Sequence, residues 1–272
     1  MDGETLVAVI VGVLQGIFEW LPVSSEGNLS IALAALGSSP AAAVQLALFA
    51  HVGTALSATV YYRAEILEAL LDALDWRPAT AWEGKSATTT FLVATTTISG
   101  VVALAAYLTL KSMVSELSAG LLVAAIGGLL VATGLVQRFA ERAAIETRST
   151  PDAVDVVLVG VLQGLAILPG VSRSGTTVSA LLLRGHEGET ALRYSFLLSV
   201  PVQVGAGVLV VAEVGGLPMA PVPTLVAVGV GAVVGYLTID ALMRVVRRIA
   251  FWAVCVALGS LAVIGGVLVA LG

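Results

Sequence analysis

Charge is scarce in this chain. Only 11% of its 272 residues are Asp, Glu, Lys or Arg, against 58% hydrophobic, and the mean hydropathy is +1.02. A soluble domain carries about a quarter charged residues, so a soluble fold is excluded and an integral membrane protein is left. Cysteine is nearly missing. Cys255 alone, inside an apolar run, excludes a disulfide framework and a thiolate metal site. The two histidines, His51 and His186, lie too far apart for a helical zinc motif. The opening MDGETLVAVIV lacks the basic n-region of a cleavable signal peptide and reads as mature sequence. No nucleic-acid partner is expected from this composition.

What the chain does have, it has twice. Residues 11–32 (VGVLQGIFEWLPVSSEGNLSIA) and 159–180 (VGVLQGLAILPGVSRSGTTVSA) agree at ten of 22 positions at an offset of 148. Each copy is an apolar arm interrupted by Pro and Gly and followed by a Ser-rich polar turn. A duplicated, interrupted hydrophobic segment points to a binding site between two structural repeats in a membrane.

A transmembrane helix needs about 20 apolar residues, and six runs qualify: 41–62, 91–110, 119–137, 195–212, 222–243 and 250–271. The duplicated segments, roughly 5–36 and 154–184, do not fit as simple spans. Broken backbone at membrane depth is tolerated only inside protein or beside a water-filled cavity, so both are expected as re-entrant hairpins. Arginine and lysine gather in 63–90, 138–153, 184–194 and 244–248, whereas 111–118 holds one lysine and 213–221 none. Placing the basic stretches in the cytoplasm lets all six spans alternate. The first hairpin then enters from outside, the second from inside, and both termini lie outside. The expected fold is all-α: six transmembrane helices plus two re-entrant helical hairpins in an inverted-topology repeat. Residues 1–272 form one membrane domain, with repeats at about 1–137 and 154–271. The stretch 64–85 reads as a short amphipathic helix and turn on the cytoplasmic surface, and Trp20, Trp76, Trp82 and Trp252 as interfacial anchors.

Chemistry concentrates at the two breaks. In the first, Gln15 and Glu19 share a helix face, Pro22 ends the arm, and Ser24, Ser25, Glu26, Gly27 and Asn28 form the turn. An ionisable residue inside an apolar segment is a functional site by default, which singles out Glu19. In the second break Pro169-Gly170 stops one helix and Ser172-Arg173-Ser174-Gly175-Thr176-Thr177 opens the next. Free N–H groups, capping hydroxyls and an arginine at a helix N-terminus make an anion site, and the planar guanidinium suits phosphate. The competing reading makes Arg173 a structural partner of Glu19 across the repeat interface. A phosphate held at mid-membrane suits a lipid phosphate or diphosphate whose chain stays in the bilayer.

These residues resemble a known family. The first break resembles the [E/Q]xxxE…PxSSxGH motif of the undecaprenyl-diphosphate phosphatases, the bacitracin-resistance family. The second, Pro169 through Thr177, is similar to that family's PGxSRSxxT, and segments 49–63, 194–207 and 233–248 are similar as well. The resemblance implies hydrolysis of a C55 polyprenyl diphosphate to the monophosphate at the outer face of the cell membrane, assisted by a divalent cation, Mg²⁺ or Ca²⁺. It makes Glu19 the site carboxylate and metal ligand, and Ser25 the nucleophile or the hydroxyl that orients attacking water. Arg173 becomes the diphosphate clamp. Gln15, Ser24, Asn28, Ser172, Ser174, Gly175, Thr176 and Thr177 become substrate-binding positions. The chain departs from the motif at one position: Asn28 stands where the family has histidine, and an amide cannot exchange a proton near neutral pH. Glu26 reads as a solvated turn acid sooner than as a substitute for that histidine. His51, in an HxGT pattern similar to one seen in the family, reads as a packed or hydrogen-bonded helix histidine sooner than as a replacement. The alternative function, a polyprenyl-phosphate transporter, needs the same anion site but no hydrolysis. Oligomerisation is left open, because Gly- and Ala-rich helix faces pack within and between subunits alike.

Overall fold

The structure, a computed structural model, describes residues 3–114, 117–143, 148–246 and 249–271. Among them eleven α-helices follow in order: α1 (Gly3–Phe18), α2 (Ser25–Ala35), α3 (Pro40–Tyr61), α4 (Arg63–Asp75), α5 (Gly84–Val114), α6 (Ala119–Ala143), α7 (Ala153–Leu165), α8 (Arg173–Leu183), α9 (Gly188–Val214), α10 (Pro221–Val246) and α11 (Phe251–Leu271). Six of them, α3, α5, α6, α9, α10 and α11, are long and apolar enough to cross a membrane, and they cover the six expected runs to within one residue at each end. The spans at 91–110 and 195–212 extend N-terminally because the polar residues before them, such as Thr88–Thr90 and Glu189, continue the helix. The amphipathic stretch after α3 is α4, followed by a single 3₁₀ turn at Pro78–Thr80.

The interrupted segments form the helix pairs α1–α2 and α7–α8. They pack in a two-fold exchange: α1 lies on α10 of the other repeat and α7 on α5 of the other repeat, while α3 meets α9 and α6 meets α11. Glycine sets the closeness of these contacts. A Cβ on Gly12 would stand 2.7 Å from the Ala227 carbonyl oxygen, and one on Gly16 would stand 2.8 Å from the Gly235 nitrogen. The equivalent Gly160 and Gly164 sit against Ile98 and Val102 at 2.9 and 2.5 Å. Helices in lipid gain little from apolar burial alone, so close backbone approach through small residues supplies the packing. The α6–α11 pair obeys the same rule. Gly120, Gly127 and Gly134, spaced seven apart, face backbone of α11, where Gly259 and Gly266 answer them.

The end of the second hairpin nearest α9 is tied by ions. Asp152 caps α7 by accepting from the backbone N–H groups of Val154 and Asp155, and the Asp155 side chain returns a bond to the Asp152 N–H. Arg184 reaches both carboxylates at 2.7 Å, and buried His186 meets Asp155 at 3.0 Å. Burial raises the Asp152 carboxyl. Hydrogen bonds from the Asp155 backbone, Arg148 and Arg184 outweigh this and hold it well below the ordinary carboxylate range.

One anchor expectation fails. Trp20 is fully buried, donates its indole N–H to the Gly235 carbonyl at 3.0 Å and packs edge-on against Phe196 at 5.4 Å. It sits in the broken turn, where the bundle closes around it. Trp76 and Trp82 are exposed as interfacial anchors would be. Arg138 stacks on Trp252 at 4.4 Å.

The glycine contacts predict position-specific losses. Gly12→Ala and Gly164→Ala should each cost about 1–3 kcal/mol through overpacking. Gly128→Ala, with nothing within 4 Å of its Cβ, should be neutral or gain up to about 1 kcal/mol in helix propensity. Thermal unfolding in detergent separates the two classes, and equal behaviour of all three would refute the packing role.

Candidate active site

Both breaks rebuild the backbone with a left-handed residue. Gly170 adopts φ +101° in the second break, a region natural for glycine. In the first the same job falls to Ser24 at φ 58°, the one non-glycine residue with positive φ among the described residues. Such strain persists only where the surroundings hold it. Here the Ser24 hydroxyl oxygen accepts from the N–H of Gly27, capping α2, and from the N–H of Gly170 in the other hairpin, each at 3.2 Å. Ser172 caps α8 in the equivalent way, accepting from Gly175 N–H at 3.1 Å. The two turns also touch backbone to backbone, since a Cβ on Gly27 would stand 2.8 Å from the Gly170 nitrogen.

The first turns of α2 and α8 thus converge. Ser25 and Glu26 from one, and Arg173 and Ser174 from the other, line the same small cavity of about 30 Å³, together with Glu19 and His51. Two helix N-termini aimed at one point favour negative charge there. A second, apolar cavity of about 270 Å³ shares Glu26, His51 and Arg173 with the first and runs outward between α5 and α9. Its rim residues Gly100, Leu104 and Gly205 are exposed on the bundle surface.

Glu19 is the hub. Its side chain is 2% exposed. One carboxylate oxygen accepts from Arg173, in a close ion pair, and from Gln203 Nε2 at 2.5 Å. The other accepts from Gln15 Nε2 and from the Ser25 hydroxyl, both at 2.9 Å, with His51 Nε2 at 3.3 Å. Arg173 also donates to the Ser195 carbonyl at 2.9 Å and to its hydroxyl at 3.3 Å, and lies 5.8 Å from the centre of the Phe196 ring. A guanidinium carries five N–H donors, which leaves donors for an anion. The structural pairing of Arg173 with Glu19 and its exposure to the cavity are therefore both present.

The family-model comparison matches residues 8–263 to the bacitracin resistance protein BacA. A protein of Haloarcula marismortui named undecaprenyl-diphosphatase is 55% identical over 269 residues, covering 98% of each chain. The chain belongs to the BacA family. Proteins of the same name from Methanococcoides burtonii, 35% identical over 94% of this chain and 96% of theirs, and from Geobacter sulfurreducens, 36% identical over 90% and 91%, are further relatives.

The remaining motif positions divide by what their side chains touch. Thr177 bonds the Arg173 carbonyl at 2.8 Å and the Ser195 hydroxyl at 2.7 Å, which steadies the arginine from behind. Thr176 turns its hydroxyl back onto the Ser172 carbonyl at 2.9 Å. Gly175 is packed against the Gln137 amide. Ser172 and Ser174 face the small cavity. Asn28, at the position of the BacA motif's histidine, donates its amide to the carbonyls of Val23 and Ser24 at 2.6 and 3.0 Å and so staples the strained turn.

Three residues stand closer to the chemistry than the sequence reading placed them. Glu26 is buried at 6% exposure instead of solvated, and its Oε1 has no hydrogen-bond partner. His51 sits in the wall of both cavities. Gln203, on α9, lies in the family-like segment 194–207, where the sequence assigns it no role. For a divalent cation, Glu19 as placed is a poor ligand because both its oxygens already accept from N–H and O–H donors. No group of three His, Cys, Asp or Glu side chains is gathered for a metal among the described residues. The carboxylate oxygen that fits is Glu26 Oε1, since magnesium sites commonly use one or two carboxylates and complete their shell with substrate phosphates.

Breaking the hub should be costly. Glu19→Ala strands the Arg173 charge and should destabilise by about 3–5 kcal/mol, and adding Arg173→Met should recover part of that loss. A thermal double-mutant cycle in which the two effects simply add would disprove the coupling.

Proposed function

We propose that this protein hydrolyses undecaprenyl diphosphate to undecaprenyl phosphate and inorganic phosphate, so recycling a lipid carrier. The observation that carries the reading is a serine hydroxyl, an arginine and two helix N-termini facing one cavity that continues into an apolar slot open at the bundle surface. That combination suits a ligand with an anionic head and a hydrocarbon tail. Membership of the BacA family, and relatives named for this activity at up to 55% identity, support the same reaction.

In the proposed reaction the tail lies in the slot between α5 and α9, and the diphosphate enters the polar end. Spare guanidinium donors of Arg173 and the N–H groups opening α2 and α8 hold the terminal phosphate and stabilise the charge that develops on it. Ser172 and Ser174 add hydroxyl donors. Thr177 and Ser195 fix the arginine, while Glu19, held by Gln15 and Gln203, orients both Arg173 and Ser25. Ser25 supplies the hydroxyl at the reacting phosphorus. A divalent cation, Mg²⁺ or Ca²⁺, would be held by diphosphate oxygens and Glu26 Oε1, where it would neutralise phosphate charge. The arrangement of basic stretches supports a cell-membrane enzyme whose site opens to the outer face.

The test is phosphate release from a C55 polyprenyl diphosphate by purified protein in detergent, with Mg²⁺ and with chelator. Wild type should release phosphate only with the cation, Ser25→Ala should lose at least about 10²-fold in kcat, and Arg173→Ala should lose both binding and turnover. A folded wild type that binds the lipid through Arg173 but releases nothing would overturn the hydrolase reading and leave a transporter or binder.

A further inference from the structure

His51, in the family-like segment 49–63, stands beside the first hairpin's turn. Its Nδ1 lies 2.9 Å from the Ala47 carbonyl one turn back on α3. A carbonyl can only accept, so Nδ1 carries a proton, and the tautomer this selects has its lone pair on Nε2. That lone pair points into the site, 3.4 Å from Ser25 Oγ and 3.3 Å from Glu19 Oε2. The carboxylate beside it is crowded by comparison. Glu19 already accepts from Arg173 and Gln203 on one oxygen and from Gln15 and Ser25 on the other. Ser25 donates to that carboxylate, but a proton left on it would cancel the charge that pairs Arg173, whereas Nε2 has Ser25 as its one hydroxyl neighbour among the described residues and carries no such pair. The residue at the usual histidine position is tied up elsewhere: Asn28 donates to the Val23 and Ser24 carbonyls and has no basic nitrogen.

Resting on the phosphatase reading above, we infer that His51 is the catalytic residue that takes the proton of Ser25, supplying from α3 what the first hairpin lacks. Ser25 Oγ forms a bond to the terminal phosphorus, and its hydroxyl proton passes to His51 Nε2. The bond from that phosphorus to the bridging oxygen breaks, and its electron pair leaves with the polyprenyl monophosphate, which collects the proton from the imidazolium. A water then attacks the serine-bound phosphorus and gives one proton to His51. The bond from phosphorus to Oγ breaks, inorganic phosphate departs with the water's oxygen, and the imidazolium returns the proton to Oγ. While the ring is charged, its Nε2–H faces Glu19 Oε2, a carboxylate placed to hold the imidazolium, as the third group of a triad does. The other charged groups around the ring are Glu26 on α2 and Arg173 on α8, which line the same cavities.

The experiment measures kcat and KM for phosphate release by wild type, His51→Ala and His51→Gln, with and without added imidazole. Both variants should lose about 10²- to 10⁴-fold in kcat with KM within about twofold, and imidazole should restore release in His51→Ala but not in Ser25→Ala. Glutamine keeps a donor for the Ala47 carbonyl but no proton acceptor, so it separates chemistry from packing even if the alanine variant folds poorly. Wild-type kcat in His51→Gln, or a loss confined to KM, would overturn the role. Absence of release from the wild type would instead sink the phosphatase reading on which it rests.

Discussion

The Glu19–Arg173 pair is the contact on which the two halves of the bundle depend. It joins an acid at the end of the first apolar arm to a base at the start of the last helix of the second hairpin, 154 residues away. Both groups are largely out of water, and a buried charge in such a medium must be paired and hydrogen-bonded to survive. Gln15, Gln203, Ser25 and Ser195 meet that requirement between them. The pair therefore fixes how the hairpin tips face each other, and the tips in turn fix where the helix N-termini point. Hydrophobic packing could hold the helices together with several relative registers. The ion pair admits one.

The duplication explains why the site sits where it does, though not through the residues that made it visible. Most of the identities between the copies turn out to be packing and capping positions. Gly12/Gly160 and Gly16/Gly164 seat the arms on their partner helices, Val11/Val159 are buried, and Ser24/Ser172 cap α2 and α8. The proposed chemistry lies at positions where the copies differ. Ser25 and Arg173 are equivalent under the offset of 148, each opening its helix behind the capping serine. Equivalent turns thus present a hydroxyl in one repeat and a guanidinium in the other, and both line a shared cavity. Glu19 faces an isoleucine, Ile167, in the same comparison. A symmetric scaffold with asymmetric tips is what an unsymmetrical ligand, anion at one end and hydrocarbon at the other, requires.

How far the sequence could be read follows from the range of each interaction. Spans, breaks and caps are local properties of composition and of Pro, Gly and Ser, and these were legible. Glu19, Ser25 and Arg173 were also legible, because a polar residue within an apolar run has little reason to exist without function. Gln203 and Ser195 were not, since segment 194–207 resembles the family without telling which of its polar residues meet Glu19 and Arg173. Trp20 was misread because an aromatic near a break looks like an interfacial anchor until the bundle closes over it. Glu26 was misread because turn acids are usually exposed, while this turn is enclosed by the opposite hairpin. His51 lies one helix away from the motif, and only the fold brings α3 beside the tip of α2.

Electrostatic balance argues for the proposed cation more strongly than coordination does. Glu19 already neutralises Arg173, so the resting site holds no surplus positive charge apart from the helix ends, each equivalent to roughly half an elementary charge. Glu26 adds a second carboxyl to the wall. A diphosphate entering this space would bring more negative charge than two helix termini can offset at low dielectric, where unscreened repulsion is large. Either Arg173 must be drawn away from Glu19, which exposes a buried carboxylate, or positive charge must arrive with the substrate. A divalent ion riding on the diphosphate supplies it without dismantling the pair that holds the hairpins in register. On that argument the proposed cation would protect the same contact that builds the fold.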